Sequence, residues 1–164
     1  MSLHRRAGAF KLAAALGIAL AMAACAKNPG ADGLAGGYGA ATPGSPQDFS
    51  QNVGDRVFFD TDSIELTPTA QSTLDKQAAW LQQYSRYNFV VEGHADERGT
   101  REYNFALGAR RAERVKEYLI ARGISPARMR TISYGKERPV ATCNDISCWS
   151  QNRRVVTDIN PGQS

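Results

Sequence analysis

Asp96 and Arg111 are the residues of this chain best suited to act as a pair, one fixed negative charge and one fixed positive charge within the stretch Val90–Val115, VVEGHADERGTREYNFALGARRAERV. A carboxylate that stays ionised accepts from an ammonium, and an arginine fork donates two parallel bonds to a carboxylate. Together they could hold the two poles of one small zwitterion. The competing reading is an internal Asp96–Arg111 salt bridge that only locks a loop to a helix. Catalysis fits less well. His94 next to Asp96 suggests a general base, but no serine, cysteine or metal partner is marked out near it. Zinc lacks ligands, because His94 is the only histidine after the leading segment.

The elements that must position this pair are a strand, a polar loop and a helix. Phe89-Val90-Val91-Glu92 reads as a strand, and Gly93 to Gly99 as the loop. The helix begins near Thr100 and stops at Gly123. At about 100° per residue, Phe105, Gly108, Ala112, Val115 and Leu119 fall in one arc predicted to face a core. Arg110, Glu113, Arg114 and Glu117 occupy the far face. Between the two lies a stripe of Asn104, Leu107, Arg111 and Tyr118, at the border where a groove can form.

Around this unit the chain alternates strands and helices. Arg56 to Asp60 has the content of a short strand, and Thr67-Pro68 caps a helix carrying Ala70, Leu74, Ala78 and Leu81 through Tyr84. Ser125 to Arg128 reads as one capped turn, Met129 to Ser133 as a third strand leaving through Tyr134-Gly135, and Arg154 to Ile159 as a fourth. The expected class is α+β: a two-layer β/α/β/α/β/β sandwich, one sheet with helices on one face.

The first 24 residues read as an export signal, with Arg5, Arg6 and Lys11 ahead of an apolar run, Leu12 to Ala24, too short to span a bilayer. Met22-Ala23-Ala24-Cys25 resembles the bacterial lipobox, which implies lipidation of Cys25, and Ala26 in place of an aspartate favours sorting to the outer membrane. Removing the signal takes three basic residues and no acidic one from a net charge of +4, leaving about +1. Acidic and basic residues interleave in the remainder, so nucleic acid is discarded as a partner. Residues 25–53, rich in Gly, Ala, Pro and Ser, read as a flexible tether, with the folded domain at 54–164. About 25 such residues span roughly 25 to 30 Å on average. Cys143 and Cys148 form an exported pair that can oxidise, provided the chain turns through Asn144-Asp145-Ile146, since a regular helix would hold them too far apart.

Gly93-His94-Ala95-Asp96-Glu97-Arg98-Gly99-Thr100, continued by Tyr103-Asn104, Leu107 and Arg110-Arg111-Ala112, resembles the OmpA-like domain family in the branch of peptidoglycan-associated lipoproteins that work with the Tol proteins. Ser133-Tyr134-Gly135-Lys136-Glu137 and Asn152-Arg153-Arg154-Val155 extend the resemblance, which spans roughly Val57 to Asp158. It implies an outer-membrane lipoprotein on the periplasmic face, not an enzyme and without a cofactor. It also implies non-covalent binding of the meso-diaminopimelate stem peptide of peptidoglycan, TolB as a partner, and a role in envelope integrity and division. By position, the resemblance assigns Asp96 to the ligand's ammonium and Arg111 to its carboxylate. Asn104 and Thr100 would hold peptide groups, Leu107 and Phe59 form apolar walls, and Asp60 close the groove. Gly93 and Gly99 would let the loop turn, His94 and Arg98 complete the site with Arg98 at its rim, and Arg153 be structural. Motor-stator relatives of this family would need a membrane helix, which the Leu12–Ala24 run is too short to supply.

Overall fold

The computed structural model describes residues 41–160, all within one compact unit, Tyr38–Ser164. The expected signal, the lipidation at Cys25 and the first part of the expected tether lie outside the described residues. A short helical turn, α1 (Pro46–Asp48), is capped by the Ser45 side chain and continued by a π-helical segment, Phe49–Gly54. This corrects the expected boundary of the tether. Phe49 is 1% exposed and its ring packs 4.9 Å from that of Trp80, while the Trp80 indole donates to Asp48 Oδ2 at 2.8 Å. A composition averaged over the whole stretch hides a single aromatic anchor.

Strand β1 (Arg56–Phe58) follows, then helix α2 (Pro68–Gln83), whose first turn is capped by the Thr67 hydroxyl accepting from Ala70 N. Next come β2 (Phe89–His94), α3 (Arg101–Ala121), a 3-10 turn at Pro126–Arg128, β3 (Met129–Gly135), α4 (Ile146–Asn152) and β4 (Arg154–Asp158). The sheet order is β1-β4-β2-β3. β2 and β3 pair in parallel across the α3 crossover, and β4 inserts antiparallel between β1 and β2. Helix α4 departs from the expected loop between β3 and β4; at seven residues it is too short for hydrophobic periodicity to show. The turn between the cysteines therefore uses Asn144 and Asp145, with Ile146 already helical and Asp145 as the cap. The Cys143–Cys148 disulfide is formed, with Cα atoms 5.6 Å apart.

The core lies between the sheet and helices α2 and α3: Val57, Phe59, Leu74, Leu81, Phe89, Val91, Val115, Leu119 and Val155 are all nearly inaccessible. α3 rests on β2 with almost no separation. A Cβ on Gly93 would lie 1.8 Å from the Gly108 carbonyl oxygen, so Gly93 serves helix–strand contact inside β2 and not the turn expected of it. Gly99, at φ +87°, makes the loop's turn.

The first half of α3 is rotated from the expected orientation. Phe105 is 56% exposed, while Asn104, Leu107 and Arg111 are buried. The cause is close backbone contact: a Cβ on Gly135 would come within 2.9 Å of Phe105 N, so no room remains beneath Phe105 for its ring. Beyond the end of β2, this part of the helix faces the polar loops instead of the apolar core, and the border stripe turns inward.

Candidate functional site

Arg111 organises the site. It is 0% exposed, and each of its three nitrogens donates to a backbone carbonyl: Nε to Ser63 at 2.8 Å, Nη1 to His94 at 2.9 Å and Nη2 to Asp60 at 3.0 Å. Its guanidinium also lies over the Phe59 ring, 5.1 Å from the centroid. One side chain of α3 thus ties the loop after β1 to the end of β2. Burial pushes its pKa down to about 10, helped by the positive charge of Arg153 and opposed by Asp96 and Asp62, so it remains charged at neutral pH. Three acceptors do not exhaust five N–H groups. Each Nη atom keeps one N–H without a partner among the described residues.

Asp96 follows β2 in the loop that runs to the Thr100 cap of α3. It does not pair with Arg111. Its Oδ1 accepts from the backbone N and Nε of Arg98 at 3.2 and 3.1 Å, and its Oδ2 accepts from Arg98 Nη2 at 2.7 Å and Arg153 Nη1 at 3.4 Å. Burial would raise this carboxyl, but the hydrogen bonds from Arg98, with Arg153, outweigh it and hold the pKa below the usual carboxylate range. The internal-bridge reading of the Asp96–Arg111 pair therefore does not describe this structure.

A cavity of about 230 Å³ opens between the two residues. Six expected residues line it: Asp96, Arg98, Gly99, Asn104, Leu107 and Arg111. Thr61, Asp62 and Tyr103 line it as well and were not assigned to the site from the sequence. Tyr103 was visible only as part of a motif, and exposed loop residues such as Thr61 and Asp62 give no periodic signal. The Tyr103 hydroxyl hydrogen-bonds to Asp62 Oδ1, joining the first turn of α3 to the loop after β1. Asp62 adopts φ +56°, a left-handed conformation that aspartate tolerates better than most residues. Asn104 is held by its Nδ2 donating to the Arg98 carbonyl at 2.7 Å.

The other expected site residues sit elsewhere. Phe59 is core, 3% exposed beneath Arg111, and Asp60 contributes only its carbonyl, with the loop carrying Thr61 and Asp62 to the cavity instead. Thr100 caps α3, accepting from Tyr103 N at 3.2 Å, and does not line the cavity. His94 faces away from it: the side chain is 3% exposed, its ring lies 5.4 Å from that of Tyr134, and neither ring nitrogen has a hydrogen-bond partner. Burial, with the positive charges of Arg154, Arg138 and Arg56, pushes its pKa to about 3, so it is neutral. Arg153 is 6% exposed, donates through Nε to the Phe59 carbonyl at 2.9 Å and braces Asp96 from behind, as expected of a structural residue.

The cavity therefore offers two carboxylates, Asp62 and Asp96, and two guanidinium groups, Arg98 and Arg111, around a Leu107 wall. Charges of both signs in so small a space suit a zwitterionic or amphoteric group better than a simple ion.

Comparison with known proteins agrees with this architecture. Residues 58–153 match the model of the OmpA family. The peptidoglycan-associated lipoprotein of Rhizobium meliloti is 63% identical over 147 residues, covering 87% of this chain and 84% of that protein. That of Brucella melitensis is 58% identical over 153 residues, covering 91% of each. Among solved structures, the peptidoglycan-associated lipoprotein of Burkholderia pseudomallei superposes with a TM-score of 0.65 at 37% identity, over 70% of this chain and 98% of the other. The C-terminal domain of Helicobacter pylori MotB gives 0.59 at 26% identity, over 63% and 81%. The OmpA-like fold, the buried arginine and the charged cavity thus meet in a chain that belongs to the OmpA family and, within it, to the peptidoglycan-associated lipoproteins.

Proposed function

We propose that this protein is an outer-membrane lipoprotein that binds peptidoglycan non-covalently through the cavity between Asp96 and Arg111, gripping the meso-diaminopimelate residue of the stem peptide. The observation that carries this reading is the buried, charged Arg111, fixed by three backbone carbonyls with two N–H groups to spare and lining a cavity that also contains Asp62 and Asp96. Diaminopimelate ends in an ammonium and a carboxylate on one carbon. The carboxylate goes to Arg111, and the ammonium to Asp96 and Asp62. A lysine-type stem lacks that carboxylate and would leave Arg111 without it. Sites built to bond a polar group discriminate strongly against analogues that lack it.

The grip on one stem can be weak. Three acyl chains at Cys25 would fix the protein in the membrane, and a tethered domain rebinds neighbouring stems at high effective concentration. The family relationship supports this lipid-anchored placement on the periplasmic face of the outer membrane. It also supports TolB as a partner and a part in envelope integrity and cell division. The protein acts as a mechanical tie and not as an enzyme.

Two experiments test this reading. Purified protein should co-sediment with diaminopimelate-containing sacculi and release no muropeptides from them; turnover abolished by Asp96→Asn would instead make it a hydrolase. TolB should co-purify with it, and loss of TolB under conditions that preserve complexes would place the protein outside the Tol-Pal system.

A further inference from the structure

Arg98 is held from two sides, by a residue of the cavity and by one outside it. Its Nε and Nη2 grip Asp96, and its guanidinium carbon lies over the Trp149 ring, 4.1 Å from the centroid. Nη1 has no partner among the described residues, although Arg98 lines the cavity. Trp149 is fixed in turn: its indole N–H donates to Glu97, the residue before Arg98. It directly follows Cys148, whose disulfide to Cys143 ties the start of α4 to the chain just before it. A half-buried tryptophan, one residue beyond a disulfide-closed turn, is thus the floor on which a cavity arginine rests.

We propose that Trp149, secured by the Cys143–Cys148 disulfide, is a positioning residue for ligand binding: it holds Arg98 so that Nη1 meets a second carboxylate of the stem peptide. This rests on the function proposed above. An exposed arginine side chain free to explore its rotamers loses conformational entropy on binding, and a stacked one has already lost it. A cation–π contact supplies the restraint without consuming a hydrogen-bond donor. The floor lies outside the cavity, so it acts only through Arg98.

The test is a calorimetric titration of the full-length chain in detergent with the L-Ala-D-Glu-meso-diaminopimelate tripeptide, using wild type, Trp149→Ala, Trp149→Phe, Arg98→Ala and the Trp149→Ala/Arg98→Ala double variant. Trp149→Ala should weaken binding roughly five- to tenfold, the scale of one ordered side chain together with its cation–π contact. Trp149→Phe should restore most of the loss, and the double variant should bind no more weakly than Arg98→Ala alone. Cys143→Ser/Cys148→Ser, or reduction with a dithiol, should weaken binding in the same direction, giving a second route if Trp149→Ala impairs folding. Wild-type affinity in both Trp149→Ala and the disulfide-free protein would overturn the proposal, as would a Trp149→Ala loss undiminished in the Arg98→Ala background. In either case wild-type binding would leave the proposed function standing, whereas a wild type that fails to bind would overturn both.

Discussion

At the residue scale, Arg111 both builds the site and serves it. Removing its side chain takes a donor from the carbonyls of Ser63, His94 and Asp60, each in a buried or half-buried contact. Arg111→Ala is expected to lower stability by about 2–4 kcal/mol and to abolish stem-peptide binding, as read by denaturant melts and calorimetry. Arg111→Lys should recover little of either, because one ammonium cannot reproduce a three-way planar fork. His94 makes a separate prediction. It is neutral and buried with a folded pKa of about 3, against an ordinary value of 6.5. The unfolded chain therefore takes up this proton first, and the contribution to stability is complete above pH 6.5 and is lost as pH falls from there toward 3. His94→Phe should flatten the stability profile in that window relative to wild type, and identical profiles would contradict the assignment. Asp96 and Arg111 line one cavity, as their place in a single loop–helix motif suggests, although they do not bond to each other. The roles of His94 and Phe59 were misread because sequence does not show on which side of a strand end a side chain falls.

At the element scale, local rules located the strands and long helices well. Caps at Thr67 and Thr100 and the stop at Gly123 lie where the residue types demanded. Tertiary contact overrode the helical wheel in one place. Gly93, Gly108 and Gly135 let backbones approach so closely that Phe105 is excluded and Asn104, Leu107 and Arg111 are drawn in. Gly93→Ala should push α3 off β2, lower the melting temperature and weaken binding together, since the same helix carries Arg111; unchanged melting would show that the contact relaxes without cost. The start of the domain was missed for the opposite reason. One phenylalanine in a Gly/Pro/Ser-rich stretch carries no period, yet Phe49 seats against Trp80 in the core. Phe49→Ala should cost about 3–5 kcal/mol in a chemical denaturation curve, whereas a tether residue would cost nothing measurable.

At the scale of the whole molecule, assigning Pro46–Gly54 to the folded unit shortens the expected tether, and each residue withdrawn reduces its extended reach by roughly 3.3–3.6 Å. The proposed division of labour remains anchor, tether and grip. Cys25→Ser should release the protein from membranes on fractionation while leaving its binding to isolated sacculi intact; loss of both would mean the two tasks are not separable. No sequence pattern reveals the cavity, which forms only when the loops after β1 and β2 close around α3. The account stands or falls on what that cavity accepts. Titrating the wild-type chain with a diaminopimelate stem peptide and its lysine counterpart should show tight discrimination for the former, by about tenfold or more. Equal affinity for the two, or binding to neither, would contradict it.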